Sequence, residues 1–109
     1  MKILPDENLP TKVKYDFGEG FEIFIVRDVE WPGKNNGEFL GLAVFNAFDI
    51  FLTLDKNLRF QQSIQNFDLK FIILLAIDNK HQTLQPYIDK VKVLLNSGDI
   101  PKISEITLD

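Results

Sequence analysis

Carboxylate and amide side chains follow two apolar segments of this chain, at positions where buried β-strands are expected to end. Asp6, Glu7 and Asn8 come directly after the apolar start of the chain. Asp55 and Asn57 follow a second apolar run in the middle of the chain. Open α/β sheets keep their chemistry at the carboxyl ends of their strands, and clustered oxygen ligands bind hard cations such as Mg²⁺. The pattern therefore predicts an oxygen-lined metal site.

Each aspartate also has a purely structural interpretation. Asp6 can cap the helix that follows it, and Asp55 can begin a turn, because aspartate commonly does both. Either residue alone is compatible with both interpretations. The repetition of the pattern at two strand ends favours a functional site, since converging carboxylates without a cation repel one another.

The composition limits the kind of metal site that is available. A chain of 109 residues, of which 45% are hydrophobic, is long enough for one folded domain with one core. It contains no cysteine and one histidine, which excludes disulfides, thiolate metal sites and multi-histidine zinc sites. Any bound metal must therefore be held by oxygen.

Charge and hydropathy limit the classes of partner. A net charge of −4 argues against a surface built for indiscriminate nucleic-acid binding, which relies on Lys and Arg. It remains compatible with a nuclease in which a cation and a local basic rim receive the phosphodiester. The chain begins without a secretory signal pattern, and no stretch approaches the roughly 20 apolar residues of a membrane span, so we expect a cytoplasmic protein without membrane contact. The candidate rim residues are Lys12, Lys14, Lys34, Lys56 and Arg59.

Hydrophobic periodicity predicts alternating strands and helices along the whole chain. The predicted strands are 2–4, 21–26, 50–54, 71–77 and 103–108. The predicted helices are 9–17, 37–46, 58–67 and a last helix capped by Thr83 and stopped at Ser97 and Gly98. Short connections of this kind form right-handed crossovers on a parallel sheet.

These elements predict a small three-layer α/β/α domain with a five-stranded, mainly parallel sheet in the order 2-1-3-4-5. That order makes the first and third strands neighbours, so Asp6 and Asp55 face each other at the topological switch point. Glu38, in the first turn of the second predicted helix, is expected to reach the same crevice. Asp28 and Asp78 mark the flanking strand ends, although the segment after Asp78 also has the composition of a plain turn.

Four segments together resemble the short stand-alone bacterial PIN-like proteins, relatives of the VapC-type toxins. They are residues 2–10, 26–28, 37–38 and 53–57, and the first and last are the most specific. The resemblance covers nearly the whole chain and implies one PIN-like domain at 1–109. It further implies a ribonuclease in which Asp6, Glu38 and Asp55 hold Mg²⁺ or Mn²⁺ and cleave RNA phosphodiesters.

The same resemblance implies supporting residues and partners. Lys56 or Arg59 would neutralise the scissile phosphate of the RNA substrate. An antitoxin protein would cover the crevice, and two copies of the chain could pair through an exposed helix or the edge strand at 103–108. The supporting residues around the metal would be Glu7, Asn8, Asp28, Asn57 and Asp78.

Two other functions stay open at this point. PIN turns often have a second acid where this chain has Asn57, so the protein could be a catalytically silent PIN-like binding module. A phosphoacceptor receiver also has acids after strands one and three, but it places a Ser or Thr after strand four and a Lys after strand five. Here those positions are occupied by Asp78 and, before the last strand, Lys102. His81 is expected to be a solvated loop residue without a partner, and Trp31 either stacks on a base or plugs the core.

Overall fold

Five parallel strands form one sheet in the order β2-β1-β3-β4-β5. The computed structural model describes residues 1–25, 36–60 and 66–108, without the side chains of 36–39 and 59. The strands are β1 (Lys2–Pro5), β2 (Glu22–Ile23), β3 (Ile50–Thr53), β4 (Lys70–Leu74) and β5 (Ile103–Ile106). The helices are α1 (Val13–Phe17), α2 (Asn36–Phe45) and α3 (His81–Asn96), with a 3₁₀ turn at Leu58–Phe60.

Successive strands are added on opposite sides of β1: β2 lies on one side, and β3 and the later strands lie on the other. β1 pairs with β2 on one side and with β3 on the other, and Pro5 is the register partner of Leu52. The residues that follow these two strands therefore leave the sheet side by side, at its carboxyl edge. The predicted strand order and switch point are confirmed.

Helices cover both faces of the sheet, which confirms the three layers. One buried cluster joins α1 and α3 to the sheet through Phe17, Leu84 and Ile88. The other joins α2 to the opposite face through Leu40 and Ala43. β3 lies in the middle of the sheet and all its side chains are buried, because both faces of a central parallel strand pack against apolar layers.

The first helix is much shorter than predicted. It begins at Val13, and the segment before it forms turns, with Leu9 N–H bonded to Asp6 O and Val13 N–H to Pro10 O. Pro10 explains this difference, because proline disfavours helical geometry at the preceding residue. The apolar spacing of Leu9, Val13 and Phe17 nevertheless reports burial correctly, since all three side chains belong to the core.

The strand ends also differ from the prediction. β4 ends at Leu74, rather than at residue 77, because its partner β5 ends at Ile106 and the last cross-strand bond runs from Leu75 N–H to Ile106 O. β5 therefore also stops short of the predicted residue 108. β2 is described as a pair of residues, and residue 26 of the predicted strand lies outside the described part of the chain.

The last helix begins earlier than predicted. α3 starts at His81, so Thr83 lies inside its first turn and is not the cap. The capping position is Lys80, whose backbone is extended. The apolar stripe of this helix is confirmed, because Leu84, Ile88, Val91 and Leu95 are all buried.

Only a 3₁₀ turn is seen at the start of the third predicted helix, and residues 61–65 lie outside the described part of the chain. Within the described residues, no helix has both the length and the apolar character needed to cross a membrane.

Candidate metal centre at the carboxyl edge of the sheet

Asp6 is held at the end of β1 by backbone and side-chain hydrogen bonds. Its N–H donates to Leu52 O at 2.8 Å, which continues the ladder between β1 and β3 by one residue. Its Oδ2 accepts the hydroxyl of Thr53 at 2.9 Å, and its Oδ1 accepts the N–H of Asn8 at 3.3 Å. The half-buried carboxylate is therefore oriented by the end of β3 and by the loop that follows β1.

Thr53 connects the two strand ends. Its side chain is fully buried at the last position of β3. Its hydroxyl donates to Asp6 Oδ2 and accepts the backbone N–H of Asp55 at 3.1 Å. One oxygen atom thus contacts both residues that the sequence predicts as metal ligands. Sequence reasoning missed Thr53; the available signal was a hydroxyl at the end of an apolar strand, two residues before an aspartate.

Asp55 is exposed and also begins a turn. Its Oδ1 accepts the N–H of Asn57 at 3.0 Å, and its backbone O accepts the N–H of Leu58 at 3.2 Å. This is the side-chain turn that aspartate commonly forms. Its Oδ2 accepts no hydrogen bond from the described part of the chain, so the structural role leaves one carboxylate oxygen for a ligand.

The remaining predicted site residues are distributed around this edge or fall outside the description. Glu7, Asn8, Lys56 and Asn57 are exposed in the two loops that follow β1 and β3. The helix position of Glu38 is described within α2, but its side chain is not. The side chain of Arg59 and the whole of Asp28 also lie outside the described part of the chain.

Asp78 caps α3. Its Oδ1 accepts the N–H of Lys80 at 2.9 Å. That bond, together with one from the Thr83 hydroxyl, holds the pKa of the Asp78 carboxyl below its ordinary value of 3.8. The next residue, Asn79, donates its side-chain amide to Asn8 O at 2.9 Å and so ties the loop after β4 to the loop after β1. Asp78 therefore has a structural role in the turn that precedes α3.

The described acidic side chains at this edge do not form a complete set of metal ligands. Among the described residues, no group of three or more His, Cys, Asp or Glu side chains is arranged to hold a metal ion. The two aspartates joined through Thr53 offer oxygen ligands alone. Mg²⁺ keeps several waters and is often bound by one or two carboxylates together with substrate phosphate. At this edge the structure shows two aspartates that contact the same Thr53 hydroxyl, one through its carboxylate and one through its backbone N–H.

Comparison with known proteins adds no family. No protein-family model, no curated protein and no solved structure matches this chain.

The prediction that His81 is solvated without a partner is wrong. Its Nε2 lies 2.7 Å from Asp16 Oδ2, and its side chain is only 28% exposed. Lys92, farther along α3, donates to the backbone O of Asp16 at 3.2 Å. Two α3 side chains therefore hold the end of α1, the helix that follows the Asp6 loop.

Replacing His81 should weaken this packing. We expect His81→Ala to lower the free energy of unfolding by about 0.5–1.5 kcal/mol, the usual net value of a hydrogen bond. Urea denaturation followed by circular dichroism measures it. Gln82→Ala, an exposed neighbour in the same helical turn, should change stability by less than about 0.5 kcal/mol. Equal stability of the two variants would show that the Asp16 contact contributes nothing.

Proposed function

We propose that this protein is a PIN-like metal-dependent ribonuclease that hydrolyses RNA phosphodiesters with Mg²⁺ or Mn²⁺ at its carboxyl edge. The observation that supports it best is the Thr53 hydroxyl, which contacts both the Asp6 carboxylate and the Asp55 backbone. Two acidic residues that follow strands distant in sequence thus contact the same buried hydroxyl. The motif resemblance supplies the RNA substrate class.

In this proposal the chain supplies ligands, orientation and charge. A bound cation polarises the phosphate and lowers the pKa of a coordinated water. Asp6 and Asp55 bind the cation, and Thr53 holds the Asp6 carboxylate in its orientation. Glu38 completes the ligand set from the start of α2, and Asn57 orients water or phosphate. The scissile phosphate is neutralised by Lys56 or Arg59.

The resemblance also supplies the proposed biological setting. Ribonucleases of this kind are toxins that an antitoxin protein holds inactive, and we propose such a partner over the crevice. Two copies of the chain would pair through an exposed element, for which the β5 edge of the sheet is one surface.

A second candidate function is a PIN-like module that binds without catalysis. Two observations favour it: the described residues offer only two aspartates at the Thr53 link, and position 57 is an amide. A site with fewer carboxylates binds cations less tightly. The receiver alternative loses support because Lys102 precedes β5. Its backbone O accepts the Phe71 N–H at the amino edge of the sheet, away from Asp6.

Calorimetric titration of Mn²⁺ tests the proposal. We expect wild-type protein to bind the ion, and the double variant Asp6→Asn, Asp55→Asn to show no binding heat, because both fixed oxygen ligands lose their charge. The variant must keep the wild-type circular dichroism spectrum for the comparison to hold. Absence of binding to the wild type would remove the nuclease proposal and leave the silent binding module.

A further inference from the structure

The loop between β4 and α3 contacts the loop that follows Asp6. Asn79 donates its side-chain amide to the backbone O of Asn8 at 2.9 Å, across 71 positions of the sequence. Both residues are exposed, so the contact depends on this hydrogen bond and not on apolar burial. Because the acceptor is a carbonyl oxygen, the NH₂ group of Asn79 must face Asn8, which fixes the orientation of its side chain.

Asn8 belongs to the turn that holds Asp6. Its N–H donates to Asp6 Oδ1 at 3.3 Å, and the next N–H, that of Leu9, donates to the backbone O of Asp6 at 3.0 Å. The Asn8 carbonyl and the Leu9 N–H belong to one planar peptide unit. Asn79 and Asp6 therefore bind opposite ends of the same peptide, and a displacement of Asn8 also displaces the donor to the Asp6 carboxylate.

Asn79 is itself held in a fixed position. Asp78 Oδ1 accepts the N–H of Lys80 at 2.9 Å, which closes a side-chain turn around Asn79. α3 follows directly from His81, and its apolar stripe anchors it to the core. The donor to Asn8 thus comes from the start of a packed helix, and the loop after β1 is the part that loss of the contact would release.

The two oxygens of the Asp6 carboxylate are therefore held from different parts of the sheet edge. Oδ2 accepts the Thr53 hydroxyl at the end of β3. Oδ1 accepts the N–H of Asn8, whose carbonyl is bound by Asn79 from the loop after β4. The terminal torsion of an aspartate side chain has broad preferences, so a carboxylate held at one oxygen alone can still rotate. Asn79 supports the second restraint without touching Asp6.

We propose that Asn79 is a positioning residue for Asp6 and acts through the peptide between Asn8 and Leu9. The inference rests on the proposed function, because Asp6 is the central carboxylate of the proposed site. Residues that orient such a carboxylate from behind typically change activity about 10- to 100-fold when they are replaced. Since Asn79 acts on Asp6 alone, its loss should lower kcat for RNA cleavage and leave KM unchanged.

Amide exchange tests the contact without metal or substrate. Hydrogen exchange of the Leu9 N–H is followed by NMR in EDTA buffer, for the wild type and for Asn79→Ala. We expect exchange about 3- to 10-fold faster in the variant, the factor that loss of one ordinary hydrogen bond gives. The carboxyl carbon of Asp6 should change its chemical shift, because the donor to Oδ1 is released. An unchanged Leu9 exchange rate would overturn the inference.

Asn46→Ala is the matched control. The Asn46 side chain is also exposed and donates its amide to a backbone carbonyl, that of Leu42, at 2.8 Å. It lies between α2 and β3, at the opposite, amino edge of the sheet. The variant therefore loses a hydrogen bond of the same kind, and it should leave Leu9 exchange and the Asp6 resonance as they are in the wild type.

Cleavage kinetics give the second readout. Asn79→Ala should lower kcat for a labelled RNA about 10-fold at unchanged KM, whereas Asn46→Ala should keep both values. A wild-type kcat in Asn79→Ala would overturn the inference even if Leu9 exchange were faster, because Asp6 would not depend on the contact. A wild-type protein that cleaves no RNA would refute the ribonuclease alone: faster Leu9 exchange with a shifted Asp6 resonance would still uphold Asn79 as a positioning residue for Asp6.

Discussion

Asp6→Asn should abolish Mg²⁺- or Mn²⁺-dependent RNA cleavage, with a loss of at least about 100-fold. Replacing a residue that merely orients a metal ligand typically costs 10–100-fold, and Asp6 is proposed as a ligand itself. Asn keeps an oxygen that can accept the Thr53 hydroxyl or the Asn8 N–H, so the local fold should survive. The free energy of unfolding should change by about 1 kcal/mol or less. Cleavage of a labelled RNA by purified protein and urea denaturation measure the two effects.

The control for this experiment is a carboxylate of similar charge outside the site. Asp89→Asn, on the exposed side of α3, removes one negative charge and should leave cleavage unchanged. A trace of contaminating nuclease would cleave RNA equally in all three preparations. Full activity in Asp6→Asn would refute its role as a ligand, and a large loss of stability would show that this carboxylate acts mainly as a structural acceptor.

The strand order and the shared edge of Asp6 and Asp55 were predictable from sequence for a simple reason. Parallel strands end at the same edge of a sheet, and the short connections leave few topologies. The continuous apolar run of β3 identified a strand buried on both faces, and the structure has it at the centre. Patterns of this length average over many residues, so local exceptions do not change them.

Contacts between side chains distant in sequence were not predictable in the same way. The His81–Asp16 pair spans 65 positions, and the Thr53–Asp6 hydrogen bond spans 47. Each depends on how a helix or strand is rotated when it packs, which periodicity does not report. Element ends were displaced for local reasons as well: Pro10 delays α1, and the length of β5 limits β4.

The second large effect is expected at Thr53. Thr53→Val keeps a side chain of similar shape but removes the hydroxyl, which leaves Asp6 Oδ2 and the Asp55 N–H without their shared partner. Loss of a hydrogen bond to a charged group should lower the free energy of unfolding by about 1.5–3 kcal/mol. Cleavage should fall about 10- to 100-fold, because the Asp6 carboxylate loses the contact that orients it.

Thr53→Ser separates the hydroxyl from the packing at this position. Serine removes one buried methyl group and should lower stability by about 0.5–1.5 kcal/mol, yet it keeps the donor to Asp6 and the acceptor for Asp55. We therefore expect near wild-type cleavage in Thr53→Ser and weak cleavage in Thr53→Val at a temperature where both are folded. Equal activity in the two variants would mean that Thr53 only fills the core, and that the link between the strand ends does not position the site.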